Sequence, residues 1–240
     1  GLGDGLTDHV GARASSVHGK AHGSGLGLDV VGVLAPGRAD ATTVSLSDAH
    51  VAVVVDLAMA SPEDEKTLEN VLADPRTPLI VTDAKGAWHA LRARGFTLDG
   101  VVFDPALAGY LCRPEQRGYD VASLAQRWLG VDLEALDDDD VTAQSAFDLE
   151  ALASDAVPMA HLASARRAAV LLPVQSVLDA QMAARDAVGL FTDLEMPVAA
   201  TLTVMEDAGI AVDDAVLAAR ETELDGRVTH AAEGAYAAAG

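Results

Sequence analysis

The amino-acid sequence predicts an α/β or α+β sheet domain followed by a helical extension, and three observations predict it. Short Val-, Leu- and Thr-rich runs crowd residues 26–57, a lone strand signal at 79–81 sits between two helical stretches, and only helical periodicity remains beyond residue 104. Half of the 240 residues are hydrophobic and 22% are charged, enough apolar material for a substantial core, so global disorder is excluded. Aromatic residues make up only 4%, so that core must be built from Ala, Val and Leu.

Taken in order, residues 1–25 are Gly-, His-, Ser- and Ala-rich without a hydrophobic period and read as a flexible linker. The opening at Gly1 without a Met reads as a piece of a longer chain. Leu26–Leu34, Ala41–Leu46 and His50–Leu57 read as three strands of a meander, separated by Ala35-Pro36-Gly37 and Ser47-Asp48. Ser61-Pro62-Glu63-Asp64 combines an N-cap, a Pro at the first helical position and acids in the first turn, so a helix runs from there to about Ala73. Leu79-Ile80-Val81 is a short buried strand. Asp83–Arg94 then has helical spacing, with Ala84, Ala87 and Leu91 on one face and Gly95 as its stop. Asp104–Leu111 and Val121–Leu129 read as short helices, Leu162–Ala187 as a long one bent at Pro173, Leu190–Ala208 as another, and Asp213 as the start of the last. There is no internal repeat.

Charge and composition exclude several functions. With 37 acids against 16 bases the net charge is −21, a surface that repels phosphate and argues against a free-standing nucleic-acid-binding module. One cysteine, Cys112, rules out a disulfide framework and a Cys-rich zinc site, and its apolar neighbours mark it as packed rather than reactive. There is no P-loop, HExxH, CxxC or GxSxG. Gly23-Ser24-Gly25-Leu26-Gly27 precedes a strand instead of following one, the wrong context for a dinucleotide fingerprint. His9, His18 and His22 are irregularly spaced, as in a solvated linker rather than a metal site, and the acid-rich 131–157 stretch, including Asp137 to Asp140, reads as a solvated rim. No apolar run reaches the ~18 residues of a span and no signal pattern opens the chain, so the expectation is a soluble cytoplasmic protein without a membrane partner. Only 3 of the 16 basic residues are lysines, a bias expected of a GC-rich genome.

Two segments carry a resemblance. Phe191-Thr192-Asp193-Leu194-Glu195-Met196-Pro197, followed by Met205-Glu206-Asp207-Ala208-Gly209-Ile210-Ala211-Val212-Asp213, resembles the entry to the polymerase domain of the bacterial DNA polymerase I family (family A). Phe103-Asp104-Pro105, Ala108-Gly109-Tyr110-Leu111, Gly118-Tyr119-Asp120 and Arg127-Trp128-Leu129-Gly130 resemble that family's 3′–5′ exonuclease domain. The resemblance implies a ribonuclease H-like 3′–5′ exonuclease fold, a mixed sheet flanked by helices, over residues 26–188. Residues 189–240 would then be the first thumb helices of a truncated polymerase domain. Exonucleases of this superfamily cleave the terminal phosphodiester with two divalent metals, which hard-ion chemistry requires several carboxylates to hold.

The family supplies those carboxylates as Asp-x-Glu on the first strand, an Asp closing an Asn-x-x-x-Asp stretch, and the Asp of a late-helix Tyr-x-x-x-Asp. Here Asp29 matches the first, with the Glu falling on Val31, or on Val30 in the other register. Asp83 stands for the Asn and Ala87 for the second Asp, while Ala163 stands for the Tyr and Arg167 for the last Asp. At most one of four metal carboxylates survives, and a cation replaces another. The expectation is therefore a degenerate domain without catalytic, cofactor or metal residues of its own, serving as a spacer in contact with the polymerase domain. DNA would bind through the full-length polymerase, Mg²⁺ would serve that parent enzyme, and the fragment itself would bind DNA weakly or not at all. Lys85, Arg92 and Arg94 read as a solvated helix face rather than DNA contacts. The competing reading is an active 3′–5′ exonuclease using Asp40, Asp83, Asp104 and Asp120, and a weaker one is an acidic interaction module at 132–155.

Overall fold

The computed structural model describes residues 25–48, 50–133 and 158–239. The chain divides into two compact units, Gly1–Asp207 and Ala208–Gly240. At the centre of the first lies a five-stranded sheet in the order β3-β2-β1-β4-β5. Strands β1 (Leu26–Val33), β2 (Asp40–Ser47) and β3 (Ala52–Asp56) form the expected antiparallel meander, and β4 (Leu79–Val81) and β5 (Val101–Phe103) join β1 in parallel. The strand β5 was not foreseen. Its Val-Val-Phe is three residues long and has no alternation to read, because all three side chains are apolar although Val102, on this edge strand, is exposed.

Local chemistry sets the helix ends. Ser61 and Asp64 form a reciprocal capping box for α1 (Pro62–Leu72). Asp83 caps α2 (Ala84–Ala93) from the left-handed region at φ 48°, its carboxylate accepting from the Gly86 N–H. Asp104 and Asp120 cap α3 (Pro105–Cys112) and α4 (Val121–Leu129), and Gly130 closes α4 at φ 70°. The long α5 (Met159–Ala183) begins after Pro158, three residues before the expected start. It ends short of Ala187, where Asp186 turns at φ 55°. Pro173 lies inside this continuous helix.

Because helices cover both faces, β1 alternates between two cores. Leu28 and Val30 pack with Ala84, Ala87 and Leu91 of α2 and with Leu68 and Leu72 of α1. On the other side α5 crosses β1 and β2, and Leu171, Val174 and Leu178 pack with Ile80, Phe103 and Leu124. Gly27 permits that crossing: a Cβ there would stand 2.1 Å from the Ala168 carbonyl oxygen. Cys112 is buried in this second core, as expected, and burial pushes its thiol up from the ordinary cysteine range.

Helix α6 (Val188–Ala208) contains a π-helical turn at Phe191–Glu195. The turn carries Phe191 into the core, 2% exposed, with its ring 5.0 Å from that of Phe103. At 21 residues and a mean hydropathy of 1.3, α6 has the length and composition of a membrane span, which corrects the expectation that no such run exists. Asp193 and Glu195 near its start break up the apolar run without lowering the average enough to disqualify it. In the second unit, α7 (Asp214–Ala239) has no buried residue.

The close approach at Gly27 gives a direct test. Gly27→Ala is expected to lower the unfolding free energy in urea by about 1–3 kcal/mol or more, because backbone rather than a movable side chain blocks the new methyl. Gly189→Ala, whose Cβ would have no neighbour nearer than 3.8 Å, is expected to be neutral.

Candidate functional site

Asp29 sits mid-strand on β1, paired in register with Ser45 of β2, and is 2% exposed. A carboxylate placed there by the strand must find donors, and α5 supplies them from Ser164 and Arg167, one turn apart. The Ser164 hydroxyl donates to Asp29 Oδ2 at 2.7 Å. Arg167 Nη2 donates to the same oxygen at 2.8 Å, and its Nε lies 3.0 Å from Oδ1. With the Ser164 proton committed to Asp29, the 2.7 Å contact between the Ser45 and Ser164 hydroxyls must be donated by Ser45. The Asp29 carboxylate is thereby held in a fork-shaped, charge-assisted contact, with a chain of two hydroxyls behind it.

The remaining positions do not add ligands. Val31 shares the face of Asp29 two residues on, whereas Val30 faces the opposite core. Ala87 is fully buried in the core with Val30, and Ala163 lies half-buried one turn ahead of Arg167. Arg167 thus meets Asp29, and Ala87 does not join them. The residues present do not fit a two-metal centre: one carboxylate stands where four are needed, and a guanidinium already occupies it. Among the described residues, no group of three or more His, Cys, Asp and Glu side chains is arranged to hold a metal.

The four acids of the competing reading are dispersed. Asp40 pairs with Arg94. Asp83 caps α2, and Asp120 caps α4 by accepting from the Ser123 N–H and hydroxyl. Asp104 is 5% exposed and accepts from the backbone N–H groups of Ala84, Ala106 and Leu107. Burial pushes its carboxyl up from the usual aspartate range against the pull of those three donors. His9, His18, His22 and Asp137 to Asp140 lie outside the described residues, as does almost all of 132–155.

One cluster escaped the sequence. Lys85, His89 and Arg92 lie along one face of α2 and meet Glu206 and Asp207 at the end of α6. Lys85 Nζ is 2.6 Å from Glu206, the His89 ring nitrogens are 2.8 Å from Glu206 and 2.7 Å from Asp207, and Arg92 pairs with Asp207. The expected solvated face is therefore corrected: Lys85 and Arg92 are paired to α6, and Arg94 to Asp40. The i, i+4, i+7 spacing of Lys85, His89 and Arg92 was visible. Its acidic complement, more than a hundred residues away, had no local signal.

This geometry can be set beside known proteins. Residues 36–171, more than half of the chain, match the DNA polymerase I ribonuclease H-like domain family. The DNA polymerase I of Mycobacterium tuberculosis is 35% identical over 225 residues, which cover 89% of this chain and 23% of that protein. The chain therefore spans about a quarter of the length of such relatives. A solved structure of the Mycobacterium smegmatis Pol1 POL domain with DNA primer-template and dNTP superposes with a TM-score of 0.72 at 36% identity, over 90% of this chain and 34% of that one. Escherichia coli RNase D, an exoribonuclease, shares the fold at a TM-score of 0.53 and 18% identity, over 79% of this chain and 46% of that one. With its mixed sheet and flanking helices of the ribonuclease H-like exonuclease type, the chain belongs to the DNA polymerase I family.

Proposed function

We propose that this segment is a structural, catalytically silent 3′–5′ exonuclease-like domain of a DNA polymerase I acting in DNA replication and repair. The observation that carries the reading is the Arg167 guanidinium seated on Asp29. Phosphodiester hydrolysis in this fold needs divalent cations that activate water and stabilise the leaving oxygen. Arg167 neutralises the one carboxylate left at the site, repels an incoming cation, and can do neither of those tasks. Val31, Ala87 and Ala163 offer no oxygen ligand. The guanidinium thus takes over the electrostatic half of a metal's role, balancing a buried charge, without its chemical half.

In this reading the domain serves as a rigid spacer within a longer cytoplasmic polymerase. Mg²⁺ and the DNA primer-template are bound by the polymerase part of the full-length protein, and the spacer makes intramolecular contact with that part. The net charge of −21, with Lys85, Arg92 and Arg94 already engaged by carboxylates, leaves the segment poorly suited to bind DNA by itself.

Incubation of the 240-residue chain with 3′-labelled single-stranded DNA and Mg²⁺ or Mn²⁺ is expected to release no nucleotide above the level of Asp29→Ala. Metal-dependent turnover abolished by Asp29→Ala would overturn the reading. Arg167→Ala is expected to destabilise the fold by about 2–3 kcal/mol in urea, because it strands a buried carboxylate. This is less than a fully enclosed pair would lose, as Arg167 is one-third exposed. Fluorescence anisotropy with single-stranded DNA near physiological salt is expected to show no submicromolar binding.

A further inference from the structure

Helix α6 carries an apolar ridge on its outer side. Leu190, Leu194, Val198 and Leu202 recur every fourth residue, Met205 continues the line, and all five are 41–61% exposed. At about 3.6 residues per turn such a spacing keeps them on one side of the helix, away from Thr203 and Asp207, which face the sheet domain. Aliphatic side chains in a continuous row are costly to leave in water, and a row of this kind marks a surface that something else covers.

Three covers can be weighed. Lipid suits the length and hydropathy of α6, but a spanning helix must free its whole circumference, and this one is fastened along its inner side. Phe191 is in the core, and Glu206 and Asp207 are paired with α2. A net charge of −21, with Asp193 exposed beside the ridge, is also repelled by anionic headgroups. A second copy of the chain would find too little surface: five half-exposed side chains offer on the order of 400 Å², against about 800 Å² per partner in a stable interface. A partner joined covalently needs less, because the tether supplies an effective concentration that a free partner lacks. Such a partner is at hand in the relatives, where the matching segment is about a quarter of a longer DNA polymerase I chain.

We propose that the ridge of Leu190, Leu194, Val198, Leu202 and Met205 is the docking surface for the remainder of the polymerase chain, which lays an aliphatic surface with a basic rim along α6. The aliphatic centre matches the five side chains, and the basic rim complements Asp193 and the acidic balance of the domain. The inner side of α6 is held to the sheet domain by Phe191 at one end and by Glu206 and Asp207 at the other, so the ridge is presented as a rigid strip. A rigid strip loses little conformational entropy when it is covered. The proposal rests on the reading of this segment as part of a longer DNA polymerase I and names the surface through which the two parts meet. It stands whether or not the Asp29 site hydrolyses DNA.

Two native methionines serve as probes: Met205 on the ridge and Met59 on the sheet domain, both well exposed. Hydroxyl-radical labelling read by mass spectrometry is expected to oxidise both in the 240-residue chain, and in the full-length polymerase to slow about tenfold at Met205 while Met59 is unchanged. The Leu194→Gln/Leu202→Gln double variant is expected to leave urea unfolding of the 240-residue chain unchanged, since both side chains already meet water, and to restore Met205 labelling in the full-length protein. Primer extension by the same full-length preparation reports on the underlying reading. Undiminished Met205 labelling in a protein that extends primers would overturn the docking and leave that reading in place, whereas a protein that extends no primer would overturn both. Met205 protection that grows with the concentration of the 240-residue chain would assign the ridge to a second copy and overturn the proposal. Co-sedimentation of that chain with phosphatidylcholine–phosphatidylglycerol vesicles would assign it to lipid, with the same result.

Discussion

The structure turns on a carboxylate that cannot reach water. Asp29 lies in the middle of the central strand, beneath a long helix, and an ion in that position must be matched by an opposite charge or it destabilises the fold by several kcal/mol. The match comes from Arg167 and Ser164 on α5, backed by Ser45 from the neighbouring strand. These contacts fix three things together: the rotation of α5 about its axis, its position along β1 and β2, and the face of β1 that it covers. Gly27 makes the same fit from the steric side, since α5 lies so close at that point that no side chain can be placed between helix and strand.

Asp29 is thus part of the packing. Val31 and Ala87 carry no charge, and Ala87 lies in the opposite core with Leu28 and Val30. Once a guanidinium is present, further acids around Asp29 would repel one another without an ion to offset them. Arg167 has a reason to be basic because Asp29 remains, and Asp29 can stay buried because Arg167 is there.

Helix α6 is held at two points by different physics. Near its start the π-turn swings Phe191 into the core against Phe103, an apolar contact insensitive to pH or salt. At its end Glu206 and Asp207 are gripped by Lys85, His89 and Arg92, an electrostatic contact sensitive to both. Between them the exposed side chains Leu194, Val198 and Leu202 follow an i, i+4 spacing, so a partly apolar helix is kept on the domain chiefly by its two ends.

The sequence by itself determined the meander, the capped first helix and the order of the elements other than β5, because each is written in neighbouring residues. Pro62 after Ser61, Gly95 after the helical spacing of Asp83–Arg94, and the Val-rich strands are all local signals. The positions Asp29, Val31 or Val30, Ala87 and Arg167 were singled out only by the resemblance to the DNA polymerase I family. What the tertiary structure decided was which of them meet. Asp29 and Arg167 are joined and Ala87 is turned into the other core, because strand pleat and helix crossing set those directions. It also decided the identity of β5, whose three residues acquire meaning only beside β4. His89 and the basic residues around it gained their partners in the same way. Their counter-charges stand at the far end of the domain sequence, and only folding brings charges so distant along the chain within hydrogen-bond range.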